Sequence, residues 1–387
     1  MSGGPSNIPR EVFEETLLEF LAPIRPYLED PSVSEVMING PDQIYIEKKG
    51  RIELTGARFA NREALIAALR NLAQFVGKQI DENRPILEGR MPDGSRVEAL
   101  LPPVAPDGPH VAIRRFFKET LTVERLVGFG AMTEDVASAL HAIVASKLNV
   151  IVAGGTGSGK TSMLNALSSF IPDGERVVVI EDSRELQLQR EHVVQLESRA
   201  PDPKGRFGVS IRDLFRATLR MRPDRIVVGE IRGGEALDLV QAMTSGHGGC
   251  MSTLHATYPR DTMSRLETMA LMSDLDMPLV AMRTQIGSAV QCIVQVSRLQ
   301  DGSRKVTHVS EVTGYDQERS TYLISDVFER RIHGTSARGE IQSDIVPTGY
   351  VPRFLGQLHD HGVDLPRSVH DAAREQGRRG AERGRGP

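Results

Sequence analysis

Gly154-Gly155-Thr156-Gly157-Ser158-Gly159-Lys160-Thr161 has the spacing G-x-x-x-x-G-K-T, set between the apolar run Asn149-Val150-Ile151-Val152-Ala153 and a helical run that opens at Ser162. In such a strand-loop-helix, glycines let successive backbone N–H groups converge on phosphate oxygens, and the positive end of the following helix adds to the attraction. Lys160 has the reach for the β- and γ-phosphates of a nucleoside triphosphate, and the Thr161 hydroxyl suits the Mg²⁺ that accompanies it. The expected binding set is Gly154, Gly155, Thr156, Gly157, Ser158, Gly159, Lys160, Thr161 and Ser162.

Hydrolysis also needs a group that activates water at the γ-phosphate. Two apolar runs end in carboxylates: Ile226-Val227-Val228-Gly229-Glu230, and Val177-Val178-Val179-Ile180-Glu181-Asp182. In an open parallel sheet the carboxyl ends of the strands line the ligand crevice, so both clusters fall on the phosphate-loop edge. Glu230 is the expected base. Gly229 stands where a metal-side Asp is common, so Mg²⁺ falls to Thr161, the phosphates and water, with Glu181, Asp182 and Glu230 in the outer shell. His247 and His255 flank another strand candidate in a glycine-rich stretch and are expected to sense the γ-phosphate. Metal ligation by this pair fits poorly, because no third ligand lies at a workable spacing. Arg212, Arg216 and Arg220 recur every fourth residue, opposite the apolar face of one helix, which also describes a plain solvated face. Arg96 and the pair Arg114-Arg115 lie on strand candidates, where charge is less expected, and suit an arginine finger reaching a nucleotide across a domain or subunit boundary.

The elements that must hold these residues follow from periodicity. Residues 1–30 form a short helical lead-in (Val12, Phe13, Leu17, Leu18, Phe20, Leu21) broken by Pro23, Pro26 and Pro31. Residues 31–118 read as a small α+β domain. Its strands run through Val36–Ile38, Ile44–Ile46, on through Lys49-Gly50 to Ile52 and Leu54, then Val97–Leu101 and Val111–Ile113; one helix covers Ala64–Val76, and Pro92-Asp93-Gly94 and Pro106-Asp107-Gly108 supply turns. In residues 119–335, two helical segments over Leu121–Leu148 lead into the phosphate-loop strand. Short β-branched runs at 177–180, 193–194 and 226–228 then alternate with helices at 211–221 and 234–245, the mark of a parallel sheet covered on both faces. A strand at 251–254, helices at 259–272 and 278–289, and a hairpin through Asp301-Gly302 complete it. Residues 336–387 are a C-terminal extension. Arg374–Pro387 has almost no apolar side chains and is expected to be disordered.

At 387 residues the chain has room for two or three domains. A net charge of −4 gives no support for nonspecific nucleic-acid binding, and none is expected. The N-terminus lacks the basic start and apolar core of a signal peptide, and no apolar run approaches the ~18 residues of a membrane span, so a cytoplasmic location is expected. Cys250 and Cys292 lack zinc-site spacing and sit among apolar residues, as small buried side chains do.

Four stretches together resemble the secretion-superfamily ATPases of type II and type IV secretion and type IV pili. Residues 154–161 are similar to their Walker A motif, Ile180-Glu-Asp-Ser-Arg-Glu-Leu186 to the Asp box, Met221-Arg-Pro-Asp-Arg-Ile-Val-Val-Gly-Glu-Ile-Arg-Gly233 to Walker B, and Gly246-His-Gly-Gly-Cys-Met-Ser-Thr-Leu-His-Ala256 to the His box. Similarity extends from Met37 to about Phe328. Ala166–Pro172, Ser264–Met269 and Asp301–His308 most resemble the tight-adherence (Tad) pilus ATPase, and the lack of a four-cysteine zinc module argues against the type II secretion and pilus-extension branches.

The resemblance implies an α/β fold with a RecA-like P-loop ATPase domain preceded by a mobile PAS-like domain, and a homohexamer with ATP bound between the two domains. Arg96 or Arg114 of a neighbour would complete the site, and Glu185 and Arg232 join it through the Asp box and Walker B. Such a motor would hydrolyse ATP with Mg²⁺ at the inner face of the inner membrane. There it would associate peripherally through an inner-membrane platform that adds or removes pilin. A type IV secretion ATPase or other RecA-like translocase is the alternative, and a nucleotide-gated scaffold is disfavoured by Lys160, Thr161 and Glu230.

Overall fold

The computed structural model describes residues 10–48, 50–116, 121–202, 205–275 and 277–383, with side chains inside 15–378. The first nine residues of the lead-in, Lys49, the 118/119 boundary and residues 384–387 lie outside the described residues, as do the side chains of Val12 and Phe13. The chain divides into two compact units, Met1–Glu119 and Thr120–Pro387.

The first unit begins with helices α1 (Arg10–Phe20) and α2 (Arg25–Glu29). Its strands β1 (Val33–Asn39), β2 (Ile44–Lys48) and β3 (Arg51–Leu54) precede helix α3 (Arg62–Phe75), and β4 (Ile86–Arg90), β5 (Arg96–Leu100) and β6 (His110–Arg114) follow it. All pairings are antiparallel, in the order β3-β2-β1-β6-β5-β4. Strand alternation puts Val36, Ile38, Ile44, Val97, Val111 and Ile113 on one buried face, where they share a core with Leu65, Leu69 and Leu72 of α3 and with Leu17 of α1. The Asn61 side chain caps α3 by accepting the Ala64 N–H at 2.8 Å. Strand β4 escapes a pattern reading, because Ile86-Leu87-Glu88-Gly89-Arg90 alternates too weakly.

In the second unit, α4 (Val123–Gly128) and α5 (Glu134–Ala145) lead to β7 (Val150–Gly154), α6 (Lys160–Ser168), β8 (Val177–Glu181) and β9 (Val193–Glu197). Then come α7 (Ile211–Thr218), β10 (Arg225–Val228), α8 (Glu235–Thr244), β11 (Met251–His255), α9 (Pro259–Ala270) and α10 (Leu279–Ala289). The chain ends with β12 (Cys292–Arg298), β13 (Arg304–Asp316), β14 (Thr321–Thr335), β15 (Ile341–Pro347), α11 (Leu355–Asp360) and α12 (Arg367–Arg383). The nine strands form one sheet in the order β15-β14-β13-β12-β7-β11-β10-β8-β9, parallel from β12 to β9 and antiparallel from β12 to β15. The central strands are buried on both faces, which is why they read as unbroken apolar runs. Val150 and Val152 face Leu140, Ile143, Leu164 and Leu167 on one side. Ile151 and Ala153 face Leu237, Val240, Met263 and Ile286 on the other.

The C-terminal segment differs from its expected character. Strand β15 completes the sheet, and Phe354, Leu358, Leu365 and Val369 join the core beside α5 and α6, so residues 336–369 belong to the body of the unit. Within the tail expected to be disordered, α12 continues from its anchored first turn to Arg383. Arg, Ala, Glu and Gln there have high helix propensity, which a search for buried side chains does not register. Both cysteines are fully buried, and burial pushes the Cys250 thiol up to about 12.

Candidate functional site

Strand β7 runs between β11 and β12, both parallel to it, with Gly154 opposite His255 on one side and Val296 on the other. The loop that follows holds Gly157 at φ 68° and Gly159 at φ 92°, a backbone that glycine adopts without steric cost. Helix α6 then starts at Lys160, with Thr161 and Ser162 half-buried in its first turn and Thr156 exposed on the loop. Lys160 is 7% exposed; its Nζ donates to the Gly155 carbonyl at 3.0 Å and approaches the His255 ring nitrogens at 3.3 Å.

Strand β10 delivers Glu230 two residues beyond its end. Its neighbours are fixed on both sides: the Gly229 N–H donates to Ile180 O at 2.8 Å, Thr253 Oγ1 donates to Gly229 O at 2.7 Å, and the Ile231 N–H donates to Thr253 O at 3.0 Å. The Glu230 carboxylate is engaged at both oxygens. Oε1 lies 2.7 Å from His255 Nε2, and Oε2 accepts from Arg232 Nε at 2.7 Å and Nη2 at 2.6 Å. Arg232 also reaches Asp182 Oδ2, at 3.2 Å. Despite the cost of burial, the bond to Glu230 holds the guanidinium pKa above its ordinary value, with the charges of Glu230, Asp182 and Glu185 adding to it. Burial, then the Lys160 ammonium, push the His255 imidazole below its ordinary pKa, against the pull of Glu230. A neutral His255 that donates Nε2–H to Glu230 and accepts from Lys160 at Nδ1 satisfies both neighbours.

Glu181 is 4% exposed and braces a loop: its Oε1 accepts the N–H groups of Glu185 and Leu186, each at 2.9 Å. A Cβ at Gly229 would stand 2.9 Å from Glu181 Cγ, so glycine at 229 is a packing requirement of the neighbouring strand. Asp182 Oδ1 accepts from Ser198 Oγ at 2.9 Å.

Not every expected residue gathers here. His247 lies four residues before β11, at the opposite edge of the sheet from Gly154 and Glu230, and its carbonyl accepts from Cys250 Sγ at 3.1 Å. A strand that rises ~3.3 Å per residue carries His247, which precedes β11, and His255, its last residue, to opposite edges; of the two, His255 reaches the phosphate loop. Arg212 pairs with Asp238 and Asp274, each at 2.8 Å, and Arg216 with Asp238 at 3.4 Å, so this row ties α7 to α8. In the first unit, Arg96 and Arg114 sit directly opposite each other on β5 and β6, with Arg90 next in the row on β4.

Four further residues near the site are not singled out by the sequence, although Thr253 lies within the His-box stretch and Arg304 within Asp301–His308. Thr253 holds the peptides on either side of Glu230, and the Glu235 carboxylate accepts the N–H groups of Arg232 at 2.7 Å and Gly233 at 2.9 Å. Arg298 and Arg304, from the β12–β13 hairpin, stand beside the phosphate loop. Thr253, a hydroxyl inside a buried apolar strand, is the one whose setting could have drawn notice.

Together these elements define a phosphate-loop site with a strand-end carboxylate. Residues 18–341 match the type II/IV secretion system protein family, and the chain belongs to that family. It is 34% identical to conjugal transfer protein TrbB of Rhizobium radiobacter, over 74% of this chain and 86% of the relative. It is 32% identical to type IV secretion system protein VirB11 of Brucella suis, over 76% and 88%. The crystal structure of the ATPase DotB of Legionella pneumophila superposes with a TM-score of 0.52 at 21% identity, covering 82% of this chain and 84% of that one. The fold is thus that of these ATPases, an N-terminal domain followed by a RecA-like domain. No helix among the described residues is long and apolar enough to cross a membrane.

Proposed function

We propose that the chain is an ATP-hydrolysing motor that works as a homohexamer and powers assembly of a tight-adherence type IV pilus through an inner-membrane platform. The observation that carries the hydrolase reading is the continuous line Lys160, His255, Glu230 at one sheet edge, with separations of 3.3 and 2.7 Å. In this reading residues 31–118 are the N-terminal domain and 119–335, with the segment 336–369 packed on it, the motor core, and the protein acts on the cytoplasmic side of the membrane.

The loop N–H groups and the start of α6 hold the phosphates, and Lys160 exchanges the Gly155 carbonyl for phosphate oxygen. The donor set fits Mg²⁺: Thr161 offers a neutral oxygen, Asp182 and Glu230 stand near as outer-shell carboxylates, and Glu181 faces its own loop. When bound, Mg²⁺ would offset charge on the phosphates. Glu230 takes the proton of the attacking water through Oε2 once Arg232 yields that oxygen, while His255 keeps Oε1 oriented. Arg96 or Arg114 of a neighbouring subunit supplies the finger.

A second reading, a type IV secretion or conjugation ATPase, is favoured by the names of the relatives just given. Steady-state phosphate release by the purified hexamer, with and without DNA, tests the enzyme. Glu230→Gln should retain ATP binding without turnover, and Lys160→Ala should lose binding. Loss of surface pili on deletion, with DNA transfer intact, supports the pilus role; the reverse pattern supports the second reading.

A further inference from the structure

The hairpin joining β12 and β13 places two arginines against the phosphate loop from within the same chain. Strand β12 runs beside β7 as far as Val296, opposite Gly154, so its last residues pass alongside the loop. Arg298 and Arg304 are directly opposed across the hairpin. The turn between them is pinned. The Leu299 N–H donates to Ser303 O at 2.8 Å, Asp301 Oδ1 accepts from the Ser303 N–H at 2.9 Å, and Asp301 Oδ2 accepts from the Ile341 N–H at 2.8 Å.

Arg304 Nε donates to the Gly157 carbonyl at 2.8 Å. A Cβ at Gly159 would lie 3.5 Å from Arg304 Cδ, and one at Gly157 would lie 3.6 Å from Arg298 Nη1, so both side chains flank the loop apex. A trans peptide directs its C=O and the following N–H in opposite directions. Fixing the Gly157 carbonyl on Arg304 therefore turns the Ser158 N–H away from Arg304, and it donates to Gly155 O with N and O 3.4 Å apart. Two guanidinium groups beside the loop suit a polyanion, to which arginine makes charge-assisted hydrogen bonds.

We infer that Arg304 is a positioning residue that holds the apex of the phosphate loop open for a nucleotide polyphosphate, and that Arg298 supplies a second same-chain positive charge to it. This rests on the nucleotide reading above.

The test is calorimetric binding of MgADP to the full chain, with kcat and KM for ATP, in the wild type, Arg304→Ala, Arg304→Lys and Arg298→Ala. Loss of a charge-assisted hydrogen bond should weaken ADP binding of Arg304→Ala by about tenfold or more and raise KM in step, with kcat at saturation within about threefold. Arg304→Lys keeps the charge without the planar donor and should recover only part of the loss. Arg298→Ala should weaken binding more at low salt than at high salt. Wild-type binding with no change in Arg304→Ala and Arg304→Lys overturns the inference alone. Failure of the wild type to bind ADP overturns the nucleotide reading instead. If Arg304→Ala does not fold, Arg304→Lys decides by the same criterion.

Discussion

His255 Nε2 and Glu230 Oε1 are 2.7 Å apart, and the same imidazole lies 3.3 Å from the Lys160 ammonium. A ring between a carboxylate and an ammonium bridges them as a neutral group, giving a proton to one and a lone pair to the other. Burial and Lys160, opposed by Glu230 and helped by the charges of Arg232 and Arg265, hold the imidazole pKa below its unfolded value of roughly 6.5. A lowered pKa means the unfolded chain binds the proton more readily. The stability contribution of neutral His255 is therefore complete above the unfolded pKa and is lost as pH falls through the folded one. Thermal melts of the wild type and His255→Gln across pH 5 to 8 (roughly the histidine range) should converge toward the acid end. Parallel curves would show that His255 is not held neutral by this site.

Thr253 shows how the protein aims Glu230 without touching it. Its side chain is 1% exposed, its Oγ1 donates to Gly229 O and its carbonyl accepts the Ile231 N–H. Thr253→Val keeps the shape and leaves the Gly229 carbonyl short of a donor, a loss of about 1–3 kcal/mol by denaturant unfolding. Because the peptide that shifts carries the base, kcat should fall by about tenfold or more with KM little changed. Normal kcat in a destabilised variant would make Thr253 purely structural.

The parts of this arrangement that were legible in the sequence are those written as local strings. The phosphate loop, the strand ends carrying Glu230 and Glu181, and the α3 and α8 patterns depend on residues a few positions apart, and local backbone preferences fix them. What stayed hidden depends on pairing across the sheet. His247 and His255 look equivalent as flanks of one strand, and only strand direction separates them. Arg304 is 147 residues from Gly157, and no periodicity joins a hairpin to a distant loop.

At the opposite end of β10 from Glu230, Arg225 is fully buried, its Nε donating to Glu175 Oε2 at 2.5 Å, and Lys147 meets the other Glu175 oxygen at 3.1 Å. Arg225 Nη1 and Nη2 have no hydrogen-bond partner among the described residues, and Glu175 is the counter-charge that this guanidinium meets. Glu175→Ala leaves a buried cation without it and should cost about 3–5 kcal/mol of unfolding free energy. The double variant Arg225→Met/Glu175→Leu should recover most of that. Turnover at low temperature should hold in both, because this edge is remote from the phosphates. A Glu175→Ala protein as stable as the parent would mean water already screens the pair.

Gly229 and Glu181 give the most direct check on how the site is packed. A methyl at 229 would come within 2.9 Å of Glu181 Cγ and 3.4 Å of Oε1, the oxygen that holds the Glu185 and Leu186 N–H groups. Gly229→Ala should thus cost about 1–3 kcal/mol as an overpacking change, and it should loosen the loop from Asp182 onward. Glu181→Ala also destabilises, by removing the brace, yet it vacates the space the new methyl needs. The double variant should then be less damaged than the sum of the singles, with a coupling of about 0.5–3 kcal/mol. Strict additivity in urea unfolding would mean that the two positions relax independently. A coupled result would explain why this chain has no carboxylate immediately before Glu230: the neighbouring strand already fills that position with Glu181.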